Sequence, residues 1–415
     1  MKSSLGCCSV MLLLALPACS PKMLVPTRQA EILLLDGAPD VVRVDTVTPY
    51  SKRPDGTIEI FRLDGDRLLP LTRLPTPPET RAEPRPIEGP CFAATATAYS
   101  ENRLATSAEA AGELALVVVR VDGVDVYGAG CEVANRPKSS FSSTVFVVPS
   151  GGGQPKRFPV DGLDVGQVRR MEGLGWVALA EGPPDPKKVM EVLEKGSSPR
   201  LLDEAQHTPT TYVAELASGR ITRLALNENS RCVLTEHEVW CQRRGYARTA
   251  TSEEARKAQT AGRQLTFDRF RVGGEALSPF SVPVPHTYVS DLAWLDGTGL
   301  VVFGPDGSDG YLGVISDEGK WRSPPTHACD LISLYRTRQG GFYLRRTEVL
   351  RYWDPARGLG APFTLSPSEG GCNWHPEGTF AKPSVLLVCD EFQPNQRPPK
   401  IERYALPKMT APDGG

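Results

Sequence analysis

The chain lacks an excess of charge of either sign. Its 415 residues include 47 lysines and arginines against 49 aspartates and glutamates, a net charge of −2 with histidine neutral. Proteins that bind nucleic acids or anionic surfaces through charge are usually strongly basic. We therefore predict that the protein does not bind nucleic acid.

Catalytic and cofactor signatures are missing too. The sequence contains no Gly-x-Ser-x-Gly elbow, P-loop, Gly-x-Gly-x-x-Gly or His-Glu-x-x-His motif. Histidine is scarce, and none of the five has a neighbour at metal-ligand spacing: His207, His237, His286, His327 and His375. We therefore expect a protein that is not an enzyme and has no cofactor.

Long apolar runs are absent as well, but a short one lies near the N-terminus. Lys2 precedes the run VMLLLAL at residues 10–16, which is far shorter than the roughly 20 residues of a spanning helix. The following Leu16-Pro17-Ala18-Cys19 resembles the lipobox of bacterial lipoproteins, which are cleaved before a cysteine that then carries lipid. The resemblance covers residues 1–19 only, and an ordinary secretory signal with a chance cysteine is the alternative.

The lipoprotein resemblance implies a signal peptide at 1–18, lipid on Cys19 and a tether at 19–28. The protein would then be held at a membrane by lipid, with no spanning segment. Ser20 follows the cysteine, where an aspartate would favour inner-membrane retention. A cell-envelope location, at the outer membrane, is therefore expected.

Seven cysteines follow Cys19, and an oxidising envelope favours disulfides among them. The stretch RCVLTEHEVWC predicts a hairpin turning at Glu236 and His237. It places Cys232 opposite Cys241 in a non-hydrogen-bonded pair, with Cα atoms roughly 4.5 Å apart, within disulfide reach. Metal binding is the alternative, but no Cys-x-x-Cys spacing supports it. Cys372–Cys389 is a predicted second disulfide and Cys91–Cys131 a third. Cys329 then has no predicted disulfide partner.

Short alternating strands separated by Asp-Gly, Ser-Gly and Gly-Gly turns recur along the chain. Asp291, Asp330 and Asn373 occupy matching places in successive copies, at a period near 40 residues. A four-stranded unit of this length is typical of a β-propeller blade. We predict an all-β propeller at 29–407 with seven blades, and two β-sandwich domains are the alternative. The predicted blades are 29–74, 91–160, 165–226, 230–284, 288–325, 329–366 and 370–407.

Three insertions interrupt the blades. Residues 75–90 are proline-rich and predicted to be extended and poor in regular structure, and 183–210 contain a short helix capped by Asp185. Residues 243–263 form a basic insertion. Blade topology places all three at the same end of the propeller, where loops concentrate binding. Residues 408–415 are expected to be a disordered tail, and residues 29–35 are expected to close the ring against residues 401–406.

These features favour an envelope scaffold or binding module that recognises a protein or glycan partner through that face. The alternative is an exported hydrolase or lactonase-type enzyme. It would use Ca²⁺ held in the channel by oxygen ligands from Asp291, Asp330 and Asn373. Polar residues where strands begin are more often turn and cap residues, so no metal site is the primary expectation.

Overall fold

The computed structural model describes residues 29–35, 38–47, 57–64, 67–86, 95–127, 140–194, 208–226, 230–243, 264–284, 289, 291–304, 311–322, 325–327, 333–336, 342–346, 349–354, 358–359, 363–364, 372–379, 382–389 and 400–405. This part of the chain is almost entirely β-strand. Its strands form seven antiparallel sheets, numbered here in chain order.

Sheet 1 contains β1 (Gln29–Leu35), β2 (Ala38–Val47), β3 (Thr57–Asp64) and β4 (Arg67–Pro75). Sheet 2 contains β5 (Thr80–Arg81), β6 (Arg85–Pro86), β7 (Thr95–Ala110), β8 (Glu113–Tyr127), β9 (Ser140–Pro149) and β10 (Lys156–Val160). Sheet 3 contains β11 (Asp164–Met171), β12 (Gly175–Gly182), β13 (Thr210–Glu215) and β14 (Arg220–Arg223), with helix α1 (Pro186–Glu194) between β12 and β13.

Sheet 4 contains β15 (Ser230–Leu234), β16 (Glu238–Arg243), β17 (Gln264–Arg271) and β18 (Ala276–Pro283). Sheet 5 contains β19 (Asp291–Leu295), β20 (Gly299–Phe303), β21 (Tyr311–Ile315) and β22 (Thr326–His327). Sheet 6 contains β23 (Ser333–Arg336), β24 (Phe342–Arg346), β25 (Val349–Asp354), β26 (Gly358–Leu359) and β27 (Phe363–Thr364). Sheet 7 contains β28 (Cys372–Thr379), β29 (Lys382–Cys389) and β30 (Lys400–Ala405).

The sheets pack face to face in chain order. Among the described residues, five apolar clusters lie between successive sheets, from the sheet 1–sheet 2 interface to the sheet 5–sheet 6 interface. First strands also adjoin, since β11 contacts both β7 and β15, and β15 contacts β19. Consecutive antiparallel sheets packed in this way, four of them four-stranded, are the blades of a β-propeller, as the repeat predicts.

The alternation along β8 excludes the two-sandwich alternative. Leu114, Leu116 and Val118 pack in the cluster shared with sheet 1. Ala115, Val117 and Val119 pack in the cluster shared with sheet 3. A sandwich sheet buries one face and exposes the other, whereas sheet 2 buries both.

The strands at the two ends of the chain lie in separate sheets. β1 pairs with β2 and β30 pairs with β29, and no ladder joins residues 29–35 to residues 401–406 among the described residues, so closure of the ring there stays a prediction. The proline-rich segment contains two strands of two residues each, β5 and β6, and both pair with β7. The third predicted insertion lies outside the described residues, apart from Arg243, as do residues 1–28 and 408–415.

Each blade has two ends that differ in their connections. We call upper the end at which the first strand begins and the second strand finishes, and lower the opposite end. In sheet 3 the upper end holds Asp164, Gly182 and the connection that contains α1. Within the described part of the chain, no helix is long and apolar enough to cross a membrane.

Candidate functional site

The helix in the second insertion forms as its sequence predicts. Asp185 precedes Pro186, and its Oδ1 accepts a hydrogen bond from the Lys187 N–H at 3.0 Å, which is an N-cap. Asp185 also forms an ion pair with Arg223, which ends the outermost strand of sheet 3. The apolar face is largely uncovered, because Met190 is 52% exposed and Leu193 is 47% exposed.

Sheet 2 extends past the other blades at its upper end. β9 pairs with β8 only as far as Asp122, yet β8 and β7 remain paired to Tyr127 and Thr95. The proline-rich segment adds a third strand to this extension through residues 80–86. We call the extension, made of residues 80–86, 95–100 and 122–127, the arm.

Specific hydrogen bonds hold the proline-rich segment on sheet 2. Asn102 is buried, and its Nδ2 donates to the Pro77 carbonyl at 2.8 Å while its backbone N–H donates to Glu79 Oε1 at 3.0 Å. Farther along the arm, Arg81 Nη2 lies 2.7 Å from Asp125 Oδ2. Because its backbone and side chains are tied at several points, the segment has a defined position on the upper end.

A cavity of about 550 Å³ opens at the upper end between sheets 3 and 4. Its wall includes Asp164, Gln167 and Glu181 from sheet 3, and Arg231 from sheet 4. Gln167 joins the two sheets: its Nε2 donates to the Cys232 carbonyl and its Oε1 accepts from the Leu234 N–H, both at 3.1 Å. The volume of this cavity falls within the range of small-molecule sites.

Asp164, in the wall of this cavity, has a shifted pKa. Burial raises the pKa of its carboxyl, and the charge of Arg103 offsets only part of the rise. Sequence reasoning missed Asp164, although it begins the first strand of its blade just as Asp291 does. Aligning the starts of all first strands would have found it.

The structure describes the three residues of the alternative metal site to different extents. Asp291 Oδ1 lies 2.8 Å from Arg231 Nη2 and also accepts the Leu292 N–H at 2.9 Å. A guanidinium therefore already balances its charge. Asp330 lies outside the described residues, and Asn373 is placed in β28 by its backbone. Within the described side chains, no group of three or more acidic, histidine or cysteine ligands converges.

The cysteines follow the predicted hairpin register. Cys232 and Cys241 are opposite residues of β15 and β16, joined by a disulfide with Cα atoms 4.0 Å apart. Cys372 and Cys389 are also directly opposite, in β28 and β29, and their disulfide remains a prediction. Cys91, Cys131 and Cys329 lie outside the described residues.

Comparison with known proteins identifies no family. No protein-family model matches the sequence, and no curated protein is similar to it. An acylaminoacyl peptidase from Pyrococcus horikoshii superposes with a TM-score of 0.37 at 11% identity, over 76% of this chain and 46% of that one. The chain thus spans about half of that peptidase.

Two further structures are similar at the same level. The β-propeller domain of the Trilobed protease from Pyrococcus furiosus has a TM-score of 0.32 at 11% identity, over 75% of this chain and 99% of that one. A eukaryotic initiation factor has a TM-score of 0.37 at 8% identity, over 91% of each chain. Two of these three neighbours are peptidases, and similarity this low transfers no activity. The propeller architecture rests on the seven sheets themselves.

Proposed function

We propose that the protein is a lipoprotein of the cell envelope that binds a partner protein through the upper end of its propeller, without catalysing a reaction. Lipid on Cys19 would hold it at the outer membrane, as the lipobox resemblance implies. The observation that carries the proposal is the gathering of the arm, α1 and the upper cavity at one end of the blades.

The chemistry of the upper end favours a protein partner over a glycan. Met190 and Leu193 present neighbouring apolar side chains to solvent on α1. The arm adds Arg81 and Asp125, whose ion pair is partly exposed. An apolar centre with charged surroundings is the usual composition of a protein interface. A glycan partner is the alternative outcome of the experiment below.

The tether supports a partner close to the membrane. Residues 19–28 would connect the lipid to Gln29, where β1 begins, and by strand order first strands begin at the upper end. Ten extended residues reach at most roughly 35 Å. The upper end would therefore stay near the membrane surface, within reach of partners held there.

Site-specific crosslinking in intact envelopes tests the binding proposal. A photo-reactive amino acid is placed at Arg81 or Met190, and at Leu174, an exposed turn residue at the lower end of sheet 3. We expect discrete protein adducts from the upper positions and none from Leu174. With the probe at Arg81, Met190→Glu with Leu193→Glu should abolish the adducts, while the matched Leu174→Glu leaves them intact. Equal labelling from all positions would refute the proposal, and adducts to glycan alone would change the partner class.

Metabolic labelling with an alkyne fatty acid tests the anchor separately. The wild-type chain should incorporate the label and separate with outer-membrane fractions. Cys19→Ser should lose both properties while remaining folded. Label retained in Cys19→Ser would contradict lipidation at this cysteine.

A second candidate function is the exported hydrolase. The observation that favours it is Asp164, because a carboxyl with a raised pKa in a cavity can act as a general acid. The Arg231–Asp291 ion pair disfavours the version that uses a channel cation. Turnover of an ester, lactone or glycoside panel that disappears in Asp164→Asn would establish this function. Activity unchanged in Asp164→Asn would exclude a role for this carboxyl.

A further inference from the structure

A second cavity, of about 400 Å³, lies at the lower end between sheets 4 and 5. Two hairpin turns frame it, and both are fixed by hydrogen bonds. Thr235 Oγ1 accepts the Glu238 N–H at 2.9 Å, and Glu236 Oε1 accepts the Gly297 N–H at 2.9 Å, which links the turn of sheet 4 to the turn of sheet 5. The cavity is therefore preformed and distinct from the upper end.

The inner wall is aromatic and contains one neutralised ion pair. The rings of Trp240 and Trp294 meet edge to face with centroids 5.2 Å apart. The Glu238 carboxylate accepts hydrogen bonds from Nε and Nη2 of Arg269, both at 2.7 Å. It also accepts one from the Trp240 indole N–H at 2.9 Å. Because Arg269 and Glu238 neutralise each other, neither supplies net charge to a ligand.

Three residues that line the cavity retain hydrogen-bonding capacity: Trp294 is buried, whereas Asp317 and Arg322 are exposed. Trp294 is 5% exposed, and its indole N–H has no partner among the described residues, although such burial normally costs about 1–3 kcal/mol. Arg322 forms no ion pair within the described part of the chain. Among the described residues, the Asp317 carboxylate accepts a hydrogen bond from the neighbouring Glu318 N–H at 3.1 Å.

We infer that the lower cavity binds a small ligand carrying a carboxylate beside hydrogen-bond donors, the chemistry shared by an amino acid or short peptide and by a uronic acid. The buried Trp294 indole N–H lacks an acceptor, and the charge of the exposed Arg322 favours an anionic one. Asp317 would accept from the ammonium or hydroxyl of the same ligand. The volume suits a molecule of this size.

Thermal-shift and calorimetric titrations of the purified full chain test the inference with matched pairs of probes. Dialanine is compared with dialanine amide, and glucuronate with glucose, so that each pair differs at the carboxylate. N-acetyl-dialanine removes the ammonium alone. We expect one acid to raise the melting temperature and its neutral analogue to do so far less. Whether dialanine or glucuronate is bound identifies the source of the carboxylate.

Two substitutions then locate the binding. Arg322→Gln and Trp294→Phe should each weaken binding of the active acid by about tenfold, since each removes a hydrogen bond to a charged group. Lys320→Gln is the control, because Lys320 is an exposed cation two residues from Arg322 that pairs with Glu318 outside the cavity. Binding should be unchanged in this control.

The inference is overturned if none of these probes stabilises the protein at millimolar concentration. It is also overturned if Arg322→Gln binds as tightly as wild type. Equal weakening in Arg322→Gln and Lys320→Gln would show general charge attraction in place of a site. None of these results bears on the crosslinks at the upper end, so the two proposals fail separately.

Discussion

The hydroxyl of Tyr311 is buried without a hydrogen-bond partner among the described residues. Burial raises the pKa of this phenol far above its ordinary value. Replacing Tyr311 by Phe removes the unpaired hydroxyl and keeps the ring. We expect the free energy of unfolding to stay the same or rise by up to about 1 kcal/mol, measured by urea denaturation.

The ring itself is tightly held, which provides the contrasting variant. A Cβ at Gly304 would lie 2.3 Å from the Tyr311 ring, so Gly304→Ala should cost about 1–3 kcal/mol. A loss of stability in Tyr311→Phe above about 1 kcal/mol would show that the hydroxyl has a partner.

Glu238 should make stability depend on acid pH. Burial alone would raise the pKa of Glu238, but hydrogen bonds from Arg269 and Trp240, together with the charges of Arg269 and His237, hold the pKa below its ordinary value. A carboxyl with a lowered pKa stabilises the fold fully above its unfolded pKa, and this contribution is lost as pH falls through the folded pKa. Glu238→Gln should therefore cost about 1 kcal/mol at pH 7 and little at pH 3.

Urea denaturation of wild type and Glu238→Gln from pH 7 down to pH 3 measures this difference. Glu275→Gln is the control, because its ion pair with Arg271 is exposed on both sides and should contribute little. A difference between wild type and Glu238→Gln that grows as pH falls would contradict the sign of the pKa shift.

For single residues, sequence reasoning predicts a contact when both interacting residues lie on the same hairpin. Cys232 and Cys241 were predictable because strand alternation and a two-residue turn fix their register. The pairing of Arg231 with Asp291 joins two blades, and it depends on the angle between sheets, which no local pattern encodes. Trp294 could not be recognised as a site residue for the same reason.

Among the elements, the hairpin of β19 and β20 depends on two glycines that should respond differently to substitution. Gly299 has φ +120°, and a Cβ there would lie 2.2 Å from the Ile315 carbonyl oxygen. Gly297 has φ +65° with open space around it. Gly299→Ala should cost about 3 kcal/mol or more and Gly297→Ala about 1 kcal/mol, measured by urea denaturation. Equal costs would mean that backbone conformation alone, and not contact with β21, constrains Gly299.

Element boundaries were predictable where apolar alternation meets a glycine turn, and the arm shows where this fails. β7 continues through TATAYSEN, which has few large apolar residues, because it pairs with β8 and with β5 and β6. Its length comes from these partners and not from its own pattern. The proline-rich segment gains its strands in the same way, from an edge that the sequence does not reveal.

For the whole molecule, the order of seven units was predictable because each repeats the same strand and turn pattern. The placement of the two chain ends was not predictable, and β1 and β30 lie in separate sheets. Ring geometry depends on small angles added over every interface. Those angles depend on side-chain packing between sheets, as in the cluster shared by sheets 4 and 5.

The two ends of the propeller should act independently. They are separated by the length of a strand, roughly 25 Å for the eight residues of β12, and packed sheets lie between them. Met190→Glu with Leu193→Glu should abolish the upper crosslinks and leave the affinity for the active acid unchanged. Arg322→Gln should do the reverse, and the triple variant should show both losses without further change. Loss of upper crosslinks in Arg322→Gln, with its melting temperature unchanged, would instead reveal that ligand binding at the lower end controls partner binding at the upper end.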